Sequence, residues 1–436
     1  MACSLTAVTY RSPDVSNDAP TQENEFQAVA RLAGEIRRLR KAAGLSQSKL
    51  AADLGYTRQY VSRAERSGRP LPSADLVKAL DLALAAGGEL LRLREQAQLE
   101  QRARRHATGA DVEVGQVDHG EEIHAGIQRL RRVLDARDLY QGGFTRPAHV
   151  LDQAVVQLTE ARLQARYVQI ARTAPELIAE ILQAQAEGQQ NLSRALTLAY
   201  RAADGLAFKY GYTDLSARLI ELMRGTAEES GDELLIGTVS YVRTETFFAT
   251  DDLETARCSL TQALDRIPTK ALVTAPGSAV NGSLHMRAAV VAARLGESDS
   301  ARDHLVDAKS MADQAPEGVY YGTAFGPDSV RIHEVAVHID LGDAPTALER
   351  TGVWQPPQQL PAERRSHYFI DRARAQAQVG LYGDAYDGLR TARQIAPQQV
   401  RHHPHVRQSL AALMRTRLGR DADVRNFAGW AGLSVR

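Results

Sequence analysis

Ser46-Gln47-Ser48-Lys49-Leu50-Ala51-Ala52-Asp53-Leu54-Gly55-Tyr56-Thr57-Arg58-Gln59-Tyr60-Val61-Ser62-Arg63-Ala64-Glu65 reads as two short helices joined by a tight turn. Ser46 can cap the first helix and Thr57 the second, because a hydroxyl oxygen accepts from the free N–H groups of a first turn. Ala51 supplies the small side chain needed where two helices cross closely, and Gly55 permits the sharp turn. Leu50, Leu54, Val61 and Ala64 then face inward. This is the pattern of a helix-turn-helix.

A helical wheel at about 100° per residue divides the second helix into two faces. With Arg58 at the origin, Ser62 falls near 40°, Arg66 near 80°, Gln59 near 100° and Arg63 near 140°, whereas Ala64 and Val61 lie at roughly 240° and 300°. Arg pairs bidentately with guanine and Gln with adenine in the major groove of a duplex. Arg58, Gln59, Ser62 and Arg63 are therefore the expected base contacts, Ser62 the weakest donor among them. Gln47, Lys49, Tyr60 and Arg66 are better placed for phosphates, which set register without reading sequence.

Charge around this motif supports a polyanionic partner. Residues 26–106 hold 16 Lys/Arg against 8 Asp/Glu, while the whole chain of 436 residues balances 53 against 53. The remainder is accordingly acidic, and a basic head on an acidic body suits a duplex bound at one end. Residues 1–25, rich in Ser, Asp, Asn, Thr and Pro, read as a flexible tail. Residues 26–100 read as the DNA-binding head and 101–120 as a linker of Thr, Gly, Asp, Val and His. No stretch approaches a membrane span and the first residues lack a signal-peptide pattern, so a cytoplasmic protein is expected, on the nucleoid when bound to DNA. The two cysteines, Cys3 and Cys258, are too few for a disulfide framework or zinc cluster.

From 121 to 420 nearly every segment reads as a helix, and no convincing alternation of apolar and polar residues argues for strands. The fold class expected is all-α. A tight-turn residue five positions before a small one recurs at Asp251 and Ala256, Gly296 and Ala301, Gly342 and Ala347, and Gly380 and Ala385. After Ala256, Ala301 and Ala385, Leu and Ala at +4 and +7 continue the stripe, as in Leu260 with Ala263 and Leu389 with Ala392. A less regular unit lies around Gly211–Ala217. One helical hairpin cannot bury its own apolar faces, whereas stacked hairpins can. These units resemble tetratricopeptide repeats, although their spacings of 45, 46 and 38 residues exceed the usual 34 of such repeats. Residues 421–436 read as a C-terminal tail.

Arg40, Gly44, Leu45, Gln47, Leu50, Ala51, Gly55, Val61, Ser62 and Glu65, followed by Arg69-Pro70 and a helix from Ser73, resemble the Cro/CI-type (XRE) family of helix-turn-helix repressors over about residues 28–95. The resemblance implies a five-helix head in which Arg40 and Glu65 form a buried structural ion pair, which takes both off the base-contact list. With Tyr321-Gly322-Thr323-Ala324-Phe325-Gly326-Pro327 and Val400-Arg401-His402-His403-Pro404, the whole chain resembles actinobacterial XRE-family regulators with tetratricopeptide-like C-terminal domains. That implies transcriptional control by a homodimer on an inverted-repeat operator of double-stranded DNA.

The helical domain can dimerise the chain, take up a signalling peptide or small-molecule effector, or bind a protein partner without any ligand. Asn281, His285, Tyr320, Tyr321, Arg331, Tyr368 and Arg372 are the candidate ligand residues, since first helices line the concave face of such superhelices; each can equally be solvated or satisfy a loop. His402, His403 and His405 are interrupted by Pro404 and lack a nearby Cys, so no metal is expected there. Trp354, beside Pro356-Pro357, reads as a loop anchor. No phosphate loop, HExxH, GxSxG or paired-carboxylate motif is present, so neither catalytic residues nor cofactors are expected.

Overall fold

The computed structural model describes residues 27–54, 61, 62, 64, 65, 72, 74–97, 120–140 and 145–434, divided into two units at Val117. None of the described helices is long and apolar enough to cross a membrane. The first unit comprises α1 (Gln27–Ala42), α2 (Gln47–Asp53), helical residues at 61, 62 and 64, α3 (Ala74–Ala83) and α4 over 89–97. Ser46 Oγ accepts from Lys49 N–H and fixes the start of α2. Leu32, Ile36, Leu50, Ala51, Val61, Ala64, Val77, Leu80 and Leu90 form one core. Asp81, 8% exposed, accepts from the Gly88 and Leu90 N–H groups and so ties the end of α3 to the start of α4.

The second unit is almost wholly helical. Its first helices are α5 (Gly120–Asp135), α6 (Ala148–Leu163), α7 (Tyr167–Ala186), α8 (Ser193–Lys209) and α9 (Thr213–Ser230). Four hairpins follow: α10 (Glu233–Thr250) with α11 (Leu253–Arg266), α12 (Ala275–Leu295) with α13 (Ser298–Ala312), α14 (Pro327–Asp340) with α15 (Ala344–Thr351), and α16 (Ala362–Gln378) with α17 (Tyr382–Ile395). First helices pack on first helices, so α10, α12, α14 and α16 make one continuous layer. Each hairpin turns on a left-handed residue: Asp251 (φ 59°), Gly296 (79°), Gly342 (79°) and Gly380 (83°). Ala256, Ala301, Ala347 and Ala385, five positions on, are all fully buried. In the earlier unit the residue five after Gly211 is Ser216, which is buried, whereas Ala217 is only half-buried.

Three features depart from the sequence reading. The quoted 321–327 motif is no helix: β1 (Gly318–Tyr320) and β2 (Thr323–Phe325) pair antiparallel, Tyr320 opposite Thr323, between α13 and α14. Tyr320 and Tyr321 therefore do not sit on a first helix. Residues 421–436 are not simply a tail. After α18 (Pro397–His402) and α19 (Pro404–Met414), α20 (Ala422–Trp430) buries Val424 and Phe427 in the same core as α16, α17 and α19. Finally, the layer does not end as an open superhelix. Val168 N–H donates to Gln398 Oε1 at 3.0 Å, Tyr167 Oη to Gln399 Oε1 at 3.4 Å, and Ala362 N–H to Gln164 Oε1 at 3.4 Å. Helix α6 also packs on α16, so the beginning and end of the unit meet.

The hairpin is seated by close approach. Phe325 is fully buried, and a Cβ added at Gly282 would stand 2.1 Å from its Cζ. Gly326 has φ 149°, and a Cβ there would stand 2.4 Å from Glu317 Cα. Glu317 Oε2 in turn accepts from the Asp328 and Ser329 N–H groups and caps α14. Gly282→Ala and Gly326→Ala are expected to lower stability by about 1–3 kcal/mol each, through overpacking and backbone strain respectively. Gly225→Ala, at an exposed helix position with open space around it, should gain about 0.5–1 kcal/mol. Thermal unfolding of the three variants checks both signs.

Candidate nucleic-acid interface and interior cavity

Among the expected DNA-contacting residues, Arg58, Gln59, Tyr60, Arg63 and Arg66 lie outside the described residues. What is described is the fastening that orients their helix. Arg40 donates from Nε to Glu65 Oε1 at 2.5 Å and from Nη2 to Oε2 at 2.9 Å. Its Nη1 donates to the Leu45 carbonyl at 2.7 Å, across the α1–α2 turn. The two side chains are 11% and 3% exposed, so the last turn of the motif is bolted to α1 and to the loop before α2. Burial alone would raise the Glu65 carboxyl, but hydrogen bonds from Arg40 and Gln47 outweigh it and hold it below the usual range.

Gln47 belongs to this network. Its Nε2 donates to Glu65 Oε2 at 2.8 Å, so the amide donor expected to meet a phosphate is engaged inside the motif instead. Lys49 is exposed and paired with Asp53 at 3.0 Å, one turn along α2. Such an exposed pair is weak and exchanges readily for a phosphate. Ser62 is half-buried on the second helix.

The seven candidate ligand residues do not converge. Asn281 is buried in α12. His285 Nδ1 lies 3.0 Å from His304 Nδ1 and 3.4 Å from Asp307, with the three ligand atoms within 4.8 Å of one another. That set has the composition of a divalent-metal site, and the ring-to-ring hydrogen bond already engages the Nδ1 atom of each imidazole. Tyr320 Oη donates to the Pro316 carbonyl, and Tyr321 Oη to Asp232. Arg331 stacks on Trp354, 4.5 Å from the ring centroid. Tyr368 is fully buried and donates to the Trp354 carbonyl, which makes Trp354 the anchor of its loop. Arg372 Nε is buried with no hydrogen-bond partner.

What the layer of first helices encloses is a different set. A cavity of about 440 Å³ is walled by α6, α8, α10, α12, α14 and α16, the β-hairpin turn and residues 399–405, and none of the seven candidates lines it. Seven Arg/Lys and five Asp/Glu side chains face it, with four histidines. On one side the cations are ion-paired: Glu363 accepts from His367 at 3.1 Å and has Lys209 and Arg364 each at 3.9 Å. Burial would raise the Glu363 carboxyl, but these cations hold it well below its ordinary value. Asp340 likewise faces Arg294 and Arg374. On the other side they are not. Arg201 donates to the Tyr321 carbonyl and Thr323 Oγ1, and Arg162 to the Gly322 carbonyl. Arg287 stacks on Tyr241, 4.1 Å from its centroid.

The cavity's acid–base state reflects this imbalance. Burial, then the neighbouring Arg162, draws Arg201 down to about 9. Burial pushes the Asp204 carboxyl well up despite the hydrogen bond from Ser216 Oγ. Burial also pushes the Tyr241 phenol up, but Arg287 and Arg364 outweigh it and bring it to about 8. His403, which accepts from His405 N–H and caps α19, is held neutral by burial and by the facing His367. Sequence reasoning passed over these residues because Arg on an amphipathic helix usually faces solvent. One signal was present: Arg201 and Asp204 interrupt an otherwise apolar stretch from Ala195 to Phe208.

A family model described as a helix-turn-helix domain matches residues 31–93. No curated protein matches the chain. The head is therefore a DNA-binding helix-turn-helix domain of the Cro type, carried on a helical body.

Removing Arg40 strands a buried carboxylate, so Arg40→Ala is expected to destabilise the head by about 3–5 kcal/mol. Because the folded Glu65 carboxyl titrates below its unfolded value of about 4.3, the pair's contribution is complete above that value. It is lost as pH falls through the lower folded one. Amide hydrogen exchange across residues 31–93 of the full-length protein, between pH 6 and 3, should show this loss in wild type and not in Arg40→Ala.

Proposed function

We propose that this chain is a sequence-specific DNA-binding regulator of transcription. The observation that carries the reading is the matched helix-turn-helix, in which Glu65 is fastened to Arg40 and whose second segment carries Arg58, Gln59 and Arg63 in its sequence. Arg58, Gln59, Ser62 and Arg63 read bases in the major groove. Lys49, Tyr60 and Arg66 contact phosphates, joined by Gln47 once its amide leaves Glu65. One recognition helix covers only a few base pairs, so the protein acts as a homodimer on an inverted repeat with half-sites about one duplex turn apart. The helical body supports dimerisation and takes up a peptide or small-molecule signal, for which the enclosed cavity is the supporting feature.

The test is an unbiased selection of oligonucleotides by the purified full-length protein, followed by affinity measurements over a salt series. Arg58→Ala should lower affinity for the selected site by about 1–3 kcal/mol and relax preference at one base. Lys49→Ala should weaken binding to all sequences alike and reduce the salt slope by about one. Equal losses on selected and random DNA for both variants would overturn the assignment of the reading face.

A further inference from the structure

Arg162, Arg201 and Arg287 form no ion pair with any carboxylate among the described residues, although all three line the interior cavity. The available hydrogen-bond acceptors are neutral: two backbone carbonyls and a hydroxyl for Arg162 and Arg201. Arg287 has only ring faces, Tyr241 at 4.1 Å and Phe248 at 5.5 Å, and its Nε is buried with no acceptor at all. Neutral dipoles satisfy hydrogen bonds but do not neutralise three cations in a partly desolvated space. The acids nearby do not redress the balance, since Glu363, Asp340 and Asp371 are already engaged and Asp204 is pushed toward its neutral form. That leaves Glu245 as the one lining carboxylate set against three arginines. A second unsatisfied group, Gln399 Nε2, also lies on the lining. The lining also carries apolar side chains, among them Phe208, Phe248, Val290 and Ile332.

We infer that this cavity is a binding site for a small organic anion, with a carboxylate or phosphate head held by the forks of Arg162, Arg201 and Arg287 and an apolar body against the apolar side chains of the lining. Guanidinium forks match both heads in geometry. A volume of about 440 Å³ lies within the span of small-molecule sites. Because the two ends of the helical layer are hydrogen-bonded together at Val168 and Gln398, the space suits a compact ligand rather than an extended peptide threading an open groove. The link from this anion to DNA rests on the regulator reading above; the anion site does not.

The experiment is calorimetric titration of the full-length protein with hexanoate, hexyl phosphate and uncharged hexanamide, with thermal unfolding alongside. One or both anions should bind at least tenfold more tightly than hexanamide and raise the unfolding temperature, and the preferred head group separates a carboxylate from a phosphate ligand. Arg287→Gln should lose tenfold or more in affinity while its ligand-free unfolding temperature holds or rises, because one of three mutually repelling cations has gone. A residue there for packing alone would lower it. Anion binding no tighter than that of hexanamide, or unchanged affinity in Arg287→Gln, overturns the inference. A protein that selects an operator but binds neither anion keeps the regulator reading and sinks this one. A protein that binds anions but selects no operator does the reverse.

Discussion

Helices with no sheet to lie on bury their apolar stripes only against one another, and the side chains at each crossing set how closely they approach. In this chain the crossings are made by the smallest residues available. Ala51 does this in the head, and Ala256, Ala301, Ala347 and Ala385 do it in the body, all 1% exposed or less. Gly126 goes further: a Cβ there would stand 2.5 Å from the Ala171 carbonyl oxygen. Since dispersion contacts fall off steeply with separation, enlarging any of these positions would push the paired helices apart and open the crossing along its length. The left-handed residue before each alanine serves the same end, because it returns the chain antiparallel within a single turn.

That repeated geometry leaves the β-hairpin as the irregular element. Strands of only three residues, paired with each other alone, have no independent stability in water. This pair persists because groups distant in sequence hold it: Arg162 and Arg201 on its turn carbonyls, Asp232 on Tyr321, and Arg194 over the Tyr321 ring at 4.7 Å. Tyr321 at φ 49° and Gly322 at φ 74° aim those carbonyls at the arginines. The hairpin turn thereby becomes a section of the cavity wall. Its position is coupled to the charge state of the same side chains that face the interior.

The contrast explains how much could be read from sequence. The recurring hairpins were legible down to Asp251 in a left-handed turn, because the requirement is local: a permissive residue, then a small one five positions later. The head was legible for the same reason, since the Ser46 cap and the small crossing residue Ala51 fall within a few positions of each other; Gly55 and Thr57 lie outside the described residues. The hairpin was not, because what stabilises it lies 120 and 160 residues away. Nor was the interior site. Tyr368 and Asn281 were chosen because they fall on first helices, but that position does not separate the face toward a cavity from the face toward a neighbouring helix. Helix α20 was missed although Val424, Phe427 and Ala428 carry a helical stripe, because it follows the last recognisable repeat.

Charge is treated differently in the two units, and the difference bears on what each does. In the head the one buried cation among the described residues, Arg40, is matched by a bidentate carboxylate and a carbonyl, so its burial strengthens the motif and fixes one helix direction. In the body, Arg201 is buried and Arg162 and Arg287 are half-buried around open space, with only neutral acceptors. Replacing such groups with apolar residues of similar size would generally stabilise a fold. Regular packing therefore does not account for them, and a cluster that opposes folding is what a binding site looks like before its ligand supplies the missing charge. The same reasoning places the Lys209, Arg364 and His367 group apart: Glu363 is already paired with it, so it shapes the cavity wall rather than the anion it accepts.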